Sequence, residues 1–235
     1  MSEQSLTTNE YFDFVRESYV PEKVGASKPE RVKRLLEWFC EEIFETFDEY
    51  NRALVLLAPS FEETIELPDD LKLHLASEFG DIEWFNFALA LEHQIDPHSA
   101  HREHALGFGS KLKTDKVRYF QQSATRHDNW EQLTNKAGSL VSFSDNPFYH
   151  IARLPISVLR AYSAFDDAPG QFVASELAES KSKPEVVGDV SCIVAKASHF
   201  ILDMSLDEVL RLNMAKATRR KAEGKTFDHP PDSLD

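Results

Sequence analysis

Along the first third of the chain the apolar positions recur with the period of an amphipathic helix. Between Pro29 and Leu57, the residues Leu36, Phe39, Cys40, Ile43, Phe47, Tyr50 and Leu54 follow one another at three- and four-residue steps, which predicts one long helix. Ala58-Pro59-Ser60 breaks the pattern and a short acidic connection follows. After Pro68 the spacing returns in Leu71, Leu75, Ile82, Phe85 and Leu89, predicting a second helix from about Asp69 to about Gln94. The stretch from Pro97 to Lys116 is rich in His, Gly and Lys and reads as a fraying helix end and a loop. Helical periodicity resumes around Trp130 to Phe143, stops at Asp145-Asn146-Pro147, and resumes again in Pro155 to Phe165. A polar stretch, Glu179 to Pro184, precedes a helix from about Glu185 to Leu202. Ser205 with Glu208 three residues later is a capping-box start for the last helix. Residues 1–28 read as an N-terminal segment and those from Gly224 onward as an extended arm. Alternating β patterns are scarce, so the predicted fold class is all-α, built as helix bundles.

Composition narrows the partners. With 235 residues the chain can bury a substantial core, and no apolar run approaches the roughly 20 residues needed to span a bilayer, so no membrane is expected. The first ten residues lack the basic-then-apolar order of a secretory signal, and the two cysteines, Cys40 and Cys192, are far apart; a reducing cytoplasm is the expected location. Acidic side chains outnumber basic ones 40 to 26, a net charge of -14 that repels long nucleic acid. A small anionic ligand remains compatible if a divalent cation sits between it and the protein's carboxylates.

The carboxylates themselves are placed suggestively. Residues three apart share a helix face, so Glu42 with Glu45, and Glu78 with Asp81, form two acidic pairs on neighbouring helices. Glu78 falls in the middle of the stripe made by Leu71, Leu75, Ile82, Phe85 and Leu89, with Asp81 beside it. Acids at helical spacing usually form a solvated face, and Glu41, Asp48 and Glu49 fit that reading. For Glu78 and Asp81 the same reading would put five large apolar residues in water. An unpaired carboxylate costs several kcal/mol to bury and like charges add repulsion, so a cation is the expected resolution. An oxygen-only ligand set favours Mg²⁺, with Mn²⁺ as its substitute, over Zn²⁺. Trp38 lies on the stripe of Glu42 and Glu45 and could stack on a base.

Glu41-Glu42-Ile-Phe-Glu45 and Glu78-Phe-Gly-Asp81-Ile-Glu-Trp-Phe resemble the two signatures of the MazG-like, all-α nucleotide pyrophosphohydrolases. Asn213-Met-Ala-Lys216, with Arg220 and Glu223-Gly224 after it, looks like the family's closing Asn, Lys and Arg motif. The matching segments span about half the chain, with a longer than usual connection between Glu45 and Glu78. The resemblance implies hydrolysis of a nucleoside triphosphate to its monophosphate and pyrophosphate. It assigns Glu42, Glu45, Glu78 and Asp81 to the metal, Glu45 or Glu41 to the base that activates water, and Trp38, Asn213, Lys216 and Arg220 to the substrate. Lys216 and Arg220 share a helix face with Asn213, although basic residues in a last turn also serve the helix dipole.

The middle of the chain resembles a decayed second copy. Gly188-Asp189-Val echoes Gly80-Asp81-Ile, and Leu133 before Asn135-Lys136-Ala-Gly-Ser139 echoes the first acidic motif; Asn135, Lys136, Ser139 and Val186 stand where acids would. This divides the chain into a catalytic half, 29–110, and a degenerate half, 111–223, with one active centre. The family's dimers suggest a monomeric pseudo-dimer, or else a homodimer. Gly107-Phe-Gly109-Ser-Lys111 with Lys113, Lys116 and Arg118 reads better as a basic linker than as a phosphate loop. His98, His101 and His104 read as an exposed helix end rather than a zinc site, and Lys196 either neutralises Asp189 or reaches solvent. Two other functions stay open: a non-catalytic nucleotide-binding or assembly protein, and a phosphoribosyl-ATP pyrophosphohydrolase of the same fold and chemistry.

Overall fold

The computed structural model describes residues 6–57, 67–100, 153–165 and 182–224, and they are helical with no strand. In chain order the helices are α1 (Thr8–Ser18), α2 (Pro21–Val24), α3 (Lys28–Leu57), α4 (Asp69–Glu92), α5 (Leu154–Phe165), α6 (Lys183–Ala197) and α7 (Leu206–Ala222), with a π-helical turn at Ser198–Leu202 after α6. Capping boxes start α1, α6 and α7: Thr7 with Glu10, Ser182 with Glu185 and Ser205 with Glu208 each satisfy two otherwise orphaned backbone donors. The bounds of α3, α4 and α5 follow the predicted ones to within about two residues, the ordinary scatter at helix ends. The helix predicted over Glu185 to Leu202 is α6 plus the π turn, which closes at Asp203 in the left-handed region (φ 55). The 1–28 N-terminal segment, for which no element was predicted, contains α1 and α2. The expected helix at Trp130 to Phe143, the echo at Leu133 to Ser139, the Gly107 to Arg118 stretch, His101 and His104 lie outside the described residues.

Helix α4 is the axis of the molecule. Every residue from Phe79 to Ala90 is buried, because α1, α3, α6, α7 and the π turn pack around it. The sequence Phe-Gly-Asp-Ile-Glu-Trp-Phe-Asn-Phe-Ala-Leu-Ala offers apolar groups on all sides, as a helix surrounded on all sides requires. α3 and α4 are antiparallel, since Arg31 meets Glu92, Trp38 meets Phe85 and Glu49 meets His74. α5 closes the far side against α3 and α6. Helices from before residue 110 and after residue 111 share one continuous core, from Leu6 and Tyr11 through Phe39, Phe79 and Ile82 to Val187, Ile193 and Val209.

Two polar nodes are buried within this core. Glu83 (1% exposed) accepts from Asn86 Nδ2 at 3.1 Å and Ser191 Oγ at 2.9 Å, and Asn86 also donates to the Val187 carbonyl, joining α4 to α6. Burial pushes the Glu83 carboxyl up to about 7 against the pull of those two hydrogen bonds. At the other end of α4, Arg31 grips Glu92 in a bidentate pair, Nε donating at 2.7 Å and Nη2 at 3.0 Å, and the Tyr19 hydroxyl donates to the same carboxylate at 2.6 Å. Burial alone would raise the Glu92 carboxyl, but the Arg31 and Tyr19 hydrogen bonds bring it below its usual value of 4.5. A depressed carboxyl contributes stability that is complete above its unfolded value and lost as pH falls through its folded one. Arg31→Met is therefore expected to cost about 2 kcal/mol near neutral pH, for a bidentate pair that is mostly shielded from water. Urea unfolding at about pH 7 and about pH 3 checks it, because the deficit should shrink once Glu92 is protonated in both proteins; an undiminished deficit at the acid end would remove Glu92 from the account.

Candidate metal centre

The antiparallel register of α3 and α4 brings Glu42 across from Glu78 and Asp81. One oxygen from each of the three carboxylates lies within 4.8 Å of the others, so this triad could hold a metal ion. Asp81 is 5% exposed and Glu42 and Glu78 are partly buried. Burial first, then the charges of Asp81 and Glu78 and a hydrogen bond with Glu78, push the Glu42 carboxyl up to about 10, with Lys216 opposing. Burial also raises Asp81, against the charge and hydrogen bond of Lys216. Three carboxylates crowded into a shared, poorly hydrated space carry a repulsion that a divalent cation relieves, and their all-oxygen donor set fits a hard ion.

Helix α7 completes the surroundings of Asp81. Asn213 Nδ2 donates to Asp81 Oδ1 at 2.7 Å, and Lys216 Nζ donates to Asp81 Oδ2 and, at 2.8 Å, to Ser77 Oγ. α7 comes this close because Gly80 has no side chain: a Cβ there would stand 2.6 Å from Asn213 Cβ. Behind Asn213 the buried Tyr11 hydroxyl, from α1, donates to Asn213 Oδ1 at 2.9 Å and approaches the Gly80 carbonyl at 3.3 Å.

The predicted residues thus divide into those that converge and those that do not. Glu42, Glu78 and Asp81 converge. Glu45, expected as a fourth ligand, is exposed and stands outside the triad, with burial and then the charge of Glu78 raising its carboxyl. Glu41 is exposed as well. Trp38 is partly buried against Phe85, ring centroids 6.1 Å apart. Asn213, expected at the substrate, is 0% exposed, with its amide engaged by Asp81 and Tyr11. Lys216 sits on Asp81, and Arg220 is near enough for its charge to favour ionised Asp81.

No protein-family model, curated protein or solved structure matches the chain. The site therefore has to be understood from its own residues.

Several of those residues escaped the sequence reading. His74 Nε2 lies 2.8 Å from Glu49 and 3.9 Å from Glu78, at the exposed rim of the triad. Ser77, one turn before Asp81, anchors Lys216. Tyr11 was legible in principle, since Thr7 and Glu10 form a capping box and Tyr11 and Val15 repeat at helical spacing. The echo residue Asp189 is also buried, but Arg160 holds it, with Arg153 at 3.8 Å; Lys196 is buried too, its ammonium pKa lowered by burial and partly restored by the charges of Cys192 and Asp189. Among the described residues the triad is the one metal-competent carboxylate group.

Proposed function

We propose that the chain is a Mg²⁺-dependent nucleoside triphosphate pyrophosphohydrolase, converting an NTP or dNTP and water to the monophosphate and pyrophosphate in nucleotide-pool maintenance. The observation that carries this reading is the convergence of Glu42, Glu78 and Asp81 within 4.8 Å, with the Lys216 ammonium on Asp81. A carboxylate triad alone could serve many ends, but a triad beside fixed cations suits a ligand that brings both phosphate oxygens and a metal. Mg²⁺ supplies charge neutralisation for the triphosphate and the departing pyrophosphate when bound. Glu42, Glu78 and Asp81 would hold it. Glu45, at the open side with its carboxyl raised by burial and by Glu78, is suited to accept the proton of the attacking water, and Glu41 is the neighbouring alternative. Lys216 and Arg220 offer cations to the leaving phosphates, and Trp38 offers a partly exposed ring to a base. On this reading the chain works in the cytoplasm, as a monomeric pseudo-dimer or a homodimer.

A second reading, nucleotide binding without turnover, draws on Glu45 lying outside the 4.8 Å group of Glu42, Glu78 and Asp81. Incubation with a panel of canonical and modified NTPs and dNTPs and with phosphoribosyl-ATP, in Mg²⁺ with and without chelator, separates the two. Chelator-sensitive pyrophosphate release from a nucleotide supports the proposal. Nucleotide binding with no release from any substrate at high protein concentration would replace it by the second reading.

A further inference from the structure

We propose that Tyr11 of α1 is a positioning residue for the metal centre, setting the orientation of Asp81 through the side-chain amide of Asn213. The inference rests on the reading of Glu42, Glu78 and Asp81 as holders of a divalent cation. Its basis is a chain of two hydrogen bonds that crosses three helices: the Tyr11 hydroxyl donates to Asn213 Oδ1 at 2.9 Å, and Asn213 Nδ2 donates to Asp81 Oδ1 at 2.7 Å. Tyr11 and Asn213 are both 0% exposed, so water cannot replace either bond.

The chemistry of the amide makes the direction of this chain matter. An Asn side chain presents an acceptor on one side and donors on the other, and a flip exchanges them. With Nδ2 toward Asp81 the amide supports the carboxylate; flipped, it would set an oxygen against an oxygen. Lys216 fixes the second carboxylate oxygen, so Asn213 and Lys216 together define the plane of the Asp81 carboxylate and hence what it turns toward Glu42 and Glu78. Tyr11 supplies the donor that keeps the Asn213 oxygen on the far side. The phenol ring does not depend on that bond for its place: Phe14 and Phe87 pack on it, with centroids at 5.7 and 5.4 Å. Tyr11→Phe therefore removes the hydroxyl and leaves the packing. Residues that orient metal ligands from behind typically influence affinity about 10- to 100-fold.

A neighbouring pair provides the control. Tyr19, at the other end of α1, is also nearly buried and donates to Glu92 of α4 at 2.6 Å, away from the triad. If α1 acts only as a structural brace, losing either hydroxyl should loosen it alike. Mn²⁺ binding to the full chain, followed by the loss of the free-ion electron paramagnetic resonance signal, is the readout. Tyr11→Phe is expected to raise the Mn²⁺ dissociation constant about tenfold and Tyr19→Phe to leave it unchanged. Asn213→Ala should weaken binding at least as much as Tyr11→Phe, and adding Tyr11→Phe to it should cause no further loss, because Tyr11 acts through Asn213. Normal Mn²⁺ binding by Tyr11→Phe, equal losses in Tyr11→Phe and Tyr19→Phe, or additive losses in the double variant would each overturn the inference while leaving the metal centre standing. A wild-type chain that binds no Mn²⁺ would overturn the metal reading and this inference with it. Should Asn213→Ala fail to fold, the two tyrosine variants decide the question by themselves.

Discussion

Asp81→Asn is expected to reduce pyrophosphate release by about a thousandfold or more while the far-ultraviolet circular dichroism of the protein stays as it is. The size follows from what the residue does. Asp81 is the most deeply buried of the three convergent carboxylates and the one whose two oxygens are both oriented, by Asn213 and by Lys216. Its neutral isostere keeps the volume but withdraws one of three charges that would hold the cation, and single preorganised electrostatic groups are worth about 10²–10³ in rate. Removing a metal ligand belongs at or beyond the upper end of that range, since the affinity of the site falls together with its ability to neutralise the leaving group. Folding should survive, because burial already penalises ionised Asp81 and Lys216 retains Ser77 as an acceptor. Steady-state release of pyrophosphate with saturating Mg²⁺, alongside the dichroism, is the measurement; a folded variant that keeps more than about a tenth of normal activity would exclude Asp81 from this central role.

Gly80 should be the most sensitive position for stability. In an exposed helix, replacing Gly by Ala stabilises by about 1 kcal/mol. At Gly80 the sign should reverse, because the new Cβ would stand 2.6 Å from Asn213 Cβ, where two helices touch and neither atom can rotate away. Overpacking of this kind costs about 1–3 kcal/mol against the helix gain of about 1, so Gly80→Ala is expected to lose up to about 2 kcal/mol net, and the larger, β-branched Gly80→Val more. The displaced α7 would also carry Asn213 and Lys216 away from Asp81, so Mn²⁺ affinity should fall in parallel with stability. Urea denaturation curves of both variants check the first effect and Mn²⁺ titration the second. A Gly80→Ala protein more stable than the parent would mean that α7 does not sit against α4 at this point.

These two neighbours, Gly80 and Asp81, show how differently residues can be read from sequence. Asp81 was legible because its place on an apolar stripe conflicts with its charge, and that conflict is local to one helix. Gly80 carried no such signal, since an isolated glycine in a helix becomes necessary only when another backbone approaches it. The same distinction separates Glu42 from Glu45. Helical periodicity puts both near one face of α3, but which of them meets Glu78 and Asp81 depends on the rotation and register of α3 against α4. Glu83 and Asn86 were unreadable for a related reason. A stripe pattern assumes one dry face, whereas α4 is enclosed on every side from Phe79 to Ala90, and Glu83 and Asn86 bond to α6.

By itself the sequence determined the all-helical class, the extents of α3, α4 and α5, the capped start of α7, and, within its four predicted carboxylates, the three that converge. Each of these is written in short-range terms, as spacing, caps and charge on an apolar face. Only the tertiary structure decided that α1 belongs to the site, that Asn213 and Lys216 serve Asp81, that Glu45 stays exposed outside the triad, and that Arg160 holds Asp189. Those contacts join residues up to 202 positions apart. They depend on how whole helices rotate and lean against α4, and no local period in the chain encodes that.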